Sequence, residues 1–93
     1  MTKKFLTERC RELLYNNIDK ELSKDDIKWL WEEVYKYHPN RDYSYDDIMK
    51  VTPKHNWSYG NKNYGFFVET KDGNGDFWSF PKSIANRPKD TLK

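Results

Sequence analysis

Residues 64–84 read YGFFVETKDGNGDFWSFPKSI. The fold turns on whether the DGNGD at its centre, residues 72–76, is a ligand loop or the bend of a hairpin. A calcium loop of the EF-hand type needs oxygen ligands at positions 1, 3 and 5, glycine at 6 and a bidentate glutamate at 12. Counted from Asp72, Asn74 and Asp76 fit, but the sixth and twelfth positions are Phe77 and Ser83. A Walker-type phosphate loop would need Gly-Lys-Ser/Thr opening a helix, and none is present. The β-branched and aromatic runs on both sides fit a hairpin instead. A three-residue turn, Gly73-Asn74-Gly75, puts residue 68 opposite 80 and gives Tyr64, Phe66, Val68, Trp78 and Phe80 one common face. A two-residue Asn74-Gly75 turn would split that set, so burial favours the first register, and glycine at the last turn position suits a left-handed residue. Phe67 and Phe77 are left on the far face with Glu69, Lys71 and Ser79, either covered by the chain's tail or open to a partner.

Working back from the hairpin, the first half reads helical. Phe5, Leu6, Cys10, Leu13, Leu14 and Ile18 recur at helical spacing, and Asn16-Asn17 weakens the end of that helix. Ser23 with Asp26 makes a capping signature, with Leu22 and Ile27 placed as a staple. Ile27, Leu30, Trp31, Val34, Tyr35 and His38 then form one stripe, closed where Pro39 disfavours helical geometry at His38. Ser44 with Asp47 repeats the cap before a short turn over 46–50. A third strand is expected around Met49–Val51 or Trp57–Tyr59. The fold class is α+β: two N-terminal helices on a small antiparallel sheet, hairpin 64–80, with a short C-terminal helical turn. Residues 1–86 read as one domain and 87–93 as a polar tail.

Charge and hydrophobic residues are nearly balanced, at 34% and 35%, which alone would argue for poor packing. The 17% aromatic content reverses that, because each ring buries far more area than an aliphatic side chain. Net charge is +2, too small to declare a nucleic-acid binder. Residues 1–53 balance to −1 and residues 54–93 to +3, so the shorter part, in which aromatics are denser, is also the basic part. A lone Cys10 excludes an internal disulfide and favours a reducing, cytoplasmic setting. No leader or membrane-spanning run is read in the sequence.

His38, His55 and Cys10 match no zinc spacing, and no nucleophile–base pairing has local support. The acidic pairs Asp25-Asp26, Glu32-Glu33 and Asp46-Asp47 fit helix starts and solvent faces. The expectation is a protein that is not an enzyme and holds no metal or cofactor. Lys54 to Phe66, KHNWSYGNKNYGF, interleaves cations with rings, as single-strand binding requires for pairing phosphates and stacking bases. The residues expected to bind are Lys54, Trp57, Tyr59, Lys62, Phe67, Lys71, Phe77 and Lys82. Trp29, off its helix's stripe, is a further interface candidate.

The order of features extends this reading. His38-Pro39, Ile48 and Val51, a Trp after a His, an aromatic strand, Asp72-Gly73 and the ending Trp78-Ser79-Phe80-Pro81-Lys82-Ser83-Ile84 follow one another over residues 5–85. In this the chain resembles the DeCL (defective chloroplasts and leaves) domain family, also known as a domain of unknown function in bacterial and phage proteins. It departs from the family pattern in lacking a Lys-Ile-Gly-x-Gly run after His-Pro and in the extra Trp78 before Ser79. The resemblance implies a non-catalytic module tied to RNA, since plant relatives act in plastid ribosomal RNA maturation and in the tail of a specialised RNA polymerase. The family's recurring positions correspond to His38, Pro39, Asp72, Gly73, Ser79 and Lys82. The partner expected is single-stranded RNA or a ribonucleoprotein. The alternative is a host protein, bound by a phage-encoded module that inhibits or redirects a host enzyme or defence system through Trp29, Phe67 and Phe77.

Overall fold

The computed structural model describes residues 2–39, 43–56 and 64–91. Helix α1 (Lys3–Tyr15) begins where the Thr2 hydroxyl accepts from the Phe5 amide at 3.1 Å. It ends at Tyr15, before the Ile18 to which its stripe was expected to run, with the Asn17 side-chain amide donating to the Leu13 carbonyl at 2.8 Å. Leu6, Cys10, Leu13 and Leu14 are its buried stripe, while Phe5 is half exposed. Helix α2 (Lys24–Glu33) starts at Ser23, whose hydroxyl accepts from the Asp26 amide.

The expected stripe of α2 runs to His38, but the α-helix stops at Glu33 and a 3₁₀ turn over Tyr35–Tyr37 completes it. Val34 breaks the regular geometry at φ −132° and remains fully buried. The tighter turn carries Tyr35 into the core, its ring edge-on to Trp78 at 4.5 Å. Pro39 acts as expected, with His38 extended in front of it.

Three strands form one antiparallel sheet in the order β1 (Ile48–His55), β2 (Tyr64–Thr70), β3 (Gly75–Trp78). The helical turn before β1 is shorter than expected, Tyr45–Asp47, with the Ser44 amide donating to the Asp47 carboxylate at 3.0 Å. Strand β1 therefore includes the Met49–Val51 candidate; Trp57–Tyr59 lies outside the described residues. Pro53 sits within β1 because that strand is an edge. Its missing N–H faces outward, where the Asp19 amide donates to the Pro53 carbonyl at 2.7 Å and Leu22 to Val51 at 2.9 Å. The α1–α2 connection thus covers an edge that would otherwise expose unpaired backbone groups.

The hairpin register differs from the expected one by an even number of residues. Phe66 pairs with Trp78, Phe67 with Phe77 and Val68 with Asp76, and the turn is Lys71-Asp72-Gly73. Gly73, at φ +89°, takes the left-handed position that Gly75 was expected to hold. The Asp72 carboxylate fixes the turn, accepting from the Thr70 hydroxyl and from the Asn74 amide at 3.1 Å. An even shift preserves the faces. Phe66, Val68 and Trp78 are buried together with Val51, against Leu6, Cys10, Leu13, Leu14 and Leu30.

Two core assignments do change. Tyr64 is on the right face but 39% exposed, at the end of the sheet beside Tyr15, the last residue of α1, so nothing further along that helix covers it. The strand ends at Trp78 rather than Phe80, because Pro81 presets the first turn of helix α3 (Phe80–Ala85). Phe80 still packs on Phe66, with centroids 6.1 Å apart. Trp78 donates from its indole N–H to the buried Ser83 hydroxyl at 3.1 Å. Beyond α3, Arg87 is buried, donating to the Glu33 carbonyl and to Thr91.

Candidate functional site

Alternation along the strands sorts the sheet into two faces. One belongs to the core; the other carries Lys50, Thr52 and Lys54 from β1, Phe67 and Glu69 from β2, and Phe77 from β3. The buried helical residues all join the cluster built on the first face. Phe67 and Phe77 face each other directly across the β2–β3 pair, half-buried, ring centroids 5.1 Å apart and edge-to-face. The Lys54 ammonium lies 4.9 Å from the Phe67 ring centroid. A cation over an aromatic face at such a site contributes about 0.5–1 kcal/mol. Lys50 pairs with Glu69 across the strands at 3.3 Å.

The two glycines of this face make the aromatic pair possible. A Cβ on Gly75 would meet the Phe67 Cζ at 2.5 Å, and one on Gly65 would meet the Phe77 Cδ1 at 3.2 Å. Each phenylalanine lies across the glycine diagonal to it, so the rings lie down on the sheet.

Of the residues expected to bind, the fold brings Lys54, Phe67 and Phe77 together on this face. Lys71 is exposed in the β2–β3 turn, its amide donating to the Asp47 carbonyl at 2.9 Å. Trp57, Tyr59 and Lys62 lie outside the described residues. Trp29 is elsewhere, half-buried against the helical core with the Arg9 guanidinium 6.0 Å from its ring.

Lys82 lies in a groove of about 660 Å³ where α1, α3 and the end of β3 meet, bordered by Phe77 of the aromatic pair. Arg11, His38, Asp76, Phe77 and Ser79 also line it. Burial and the nearby Lys82 hold His38 below its ordinary pKa, with Asp76 pulling the other way. Neither Arg11 nor Asp76 stands out in the sequence, since each is a charged residue on an otherwise ordinary helix or strand. Only their convergence marks them.

Cys10 is buried in α1, and loss of solvation pushes its thiol up to about 12, which leaves it unreactive. Among the described residues no group of three His, Cys, Asp or Glu side chains converges as a metal site. No described helix is long and apolar enough to cross a membrane. Residues 11–84 match the profile of a family described as "Protein of unknown function (DUF3223)". No curated protein and no solved structure matches the chain.

Proposed function

The chain belongs to the DUF3223 family, whose description assigns no activity, and from its own surface chemistry we propose a small non-catalytic module that binds single-stranded RNA, free or within a ribonucleoprotein. The observation that carries this reading is the cluster of Lys54, Phe67 and Phe77 on the sheet face opposite the helices. Antiparallel sheets that bind single strands stack bases on such rings and hold the backbone with nearby cations. Here the Lys54 ammonium lies over the ring face of Phe67. A base would take that place, and the ammonium, on its flexible stem, would move to the adjoining phosphate.

Lys71, at the turn end of the same hairpin, extends the cationic border, and Trp57, Tyr59 and Lys62 are proposed to add to it from the segment between β1 and β2. The likeness to DeCL domains, with their RNA-linked relatives, agrees with this reading, and the proposed site of action is intracellular. A basic-aromatic face of this kind favours a nucleic acid over a protein partner, because its cations lie beside the rings rather than around a dry apolar centre.

Fluorescence anisotropy with short single-stranded RNA at low salt tests the proposal. Stacking contributes about 1–3 kcal/mol per base, so Phe67→Ala should weaken binding roughly fivefold to a hundredfold or more. Lys54→Gln should lower the slope of log affinity against log salt by about 0.7. No binding, or binding indifferent to both changes in folded variants, would overturn it. Stoichiometric capture of a host protein that survives nuclease and is lost in Phe67→Ala would replace RNA with a protein partner.

A further inference from the structure

The groove beside the sheet carries chemistry that the aromatic face does not use. Arg11 comes from α1, His38 from the end of the turn after α2, and Lys82 from α3. Three separate segments therefore bring two cations, Arg11 and Lys82, and the imidazole of His38 to one space of about 660 Å³. Among the described residues, Asp76 is the carboxylate lining it, and Ser79 adds a hydroxyl. Helical solvent faces scatter their charges, so convergence from three elements calls for an anionic occupant. A monocarboxylate would satisfy one of these groups, whereas a phosphoryl group offers several acceptors at once.

We infer that this groove is a phosphate-binding site, in which Arg11 and Lys82 hold phosphoryl oxygens and protonated His38 donates to a third. The arginine fork suits two oxygens of one phosphoryl group, and the lysine serves as a mobile point charge. Asp76, on the β3 side of the groove, favours the protonated form of His38 but is outweighed by burial and Lys82. His38 faces Lys82 on α3 and Asp76 on β3, with the Tyr35 ring 6.1 Å away on its own segment. Lys82 and burial disfavour the protonated form, so an incoming phosphate supplies the charge that restores it. The His38 contribution to binding should therefore grow as the pH falls through its own titration.

Two sources present such a phosphate, a free small molecule and a nucleic-acid backbone. Phe77 lines both the groove and the aromatic face. A strand stacked on Phe67 and Phe77 can thus continue with its phosphates past Ser79 to Lys82 and Arg11. That extension rests on the RNA reading; phosphate binding itself does not.

The test follows the His38 ring by NMR across a pH titration of the whole chain, in inorganic phosphate and in acetate at equal ionic strength. His55, which does not line the groove, serves as the internal control. Phosphate should raise the His38 pKa by roughly half a unit or more, as an added opposite charge does at short range. His55 should not respond, and exposed Arg11→Gln should remove the effect without disturbing the fold. Equal His38 titrations in phosphate and acetate would overturn the inference. The second arm measures single-stranded RNA affinity against salt. Slopes lowered by about 0.7 in both Arg11→Gln and Lys82→Gln support a backbone path through the groove. RNA binding with unchanged slopes overturns that path and leaves the aromatic face alone. A phosphate response without RNA binding supports the groove as a small-molecule site and removes the RNA reading.

Discussion

The Phe67 ring lies across Gly75 on the neighbouring strand, so closely that a Cβ there would stand 2.5 Å from the ring's Cζ. The ring shields a glycine backbone that would otherwise be the weakest point of β3, and the glycine lets the ring lie flat beside Phe77. This pair therefore joins the stability of the hairpin to the shape of the proposed binding face.

Gly75→Ala should force Phe67 off its position and cost about 1–3 kcal/mol, the usual range for overpacking. Gly73→Ala has open space around it but a left-handed backbone, and should cost about 1–2 kcal/mol for a different reason. Urea denaturation gives both values. RNA anisotropy separates them: binding should fall in Gly75→Ala and persist in Gly73→Ala.

Phe66 and Phe67 are adjacent in sequence and opposite in consequence. Phe66 is fully buried, and Phe66→Ala should cost about 3–5 kcal/mol. Phe67 is outside the core cluster, so Phe67→Ala should cost clearly less while losing most of the RNA affinity. Thermal melts alongside anisotropy check the inversion.

The buried Trp78–Ser83 hydrogen bond ties β3 to α3. Ser83→Ala leaves the indole N–H without that acceptor and should cost about 1–3 kcal/mol. Trp78→Phe should remove donor and bond together, so adding Ser83→Ala to it should cost little more. A double-mutant cycle in urea measures the coupling.

His38 is held below its ordinary pKa by burial and by Lys82. In the pH range below about 6.5 the unfolded chain then binds more protons than the folded one, so stability falls as the pH drops through that range. Lys82→Gln should raise the His38 pKa and Asp76→Asn should lower it further. NMR titration of the ring reads both directions.

The Thr70 hydroxyl, then the Asn74 amide, hold the Asp72 carboxyl below its ordinary range. A depressed carboxylate contributes stability above its unfolded pKa, and that contribution is lost as pH falls from about 4 through the folded value. Asp72→Ala should be less stable at neutral pH and flatter in its acid dependence. Urea midpoints from neutral to acid conditions test this.

Much of the architecture is legible in local pattern. The caps at Ser23 and Ser44, the stop at Pro39 and the α+β class all follow from short-range chemistry. So does the division of the aromatics. Alternation commits Phe66 and Val68 to one face and Phe67 to the other whatever the partner strand does, and an even error in register leaves that result intact. The misplacements fall where local signals compete. Gly73 and Gly75 both suit a turn, and the choice depends on Asp72 and on the space Phe67 needs. Phe80 reads as strand until Pro81 is weighed as the start of a helix.

By itself, then, the sequence determined which residues point inward, because side-chain direction is a property of each element's own period. It could not determine which distant residues meet. Arg11, His38, Asp76 and Lys82 share a groove only because α1, the turn after α2, β3 and α3 close on one core. Arg87 is buried where the Glu33 carbonyl and the Tyr37 ring, both distant in sequence, lie within its reach. Such neighbours are set by how the layers pack, and no spacing along the chain records it.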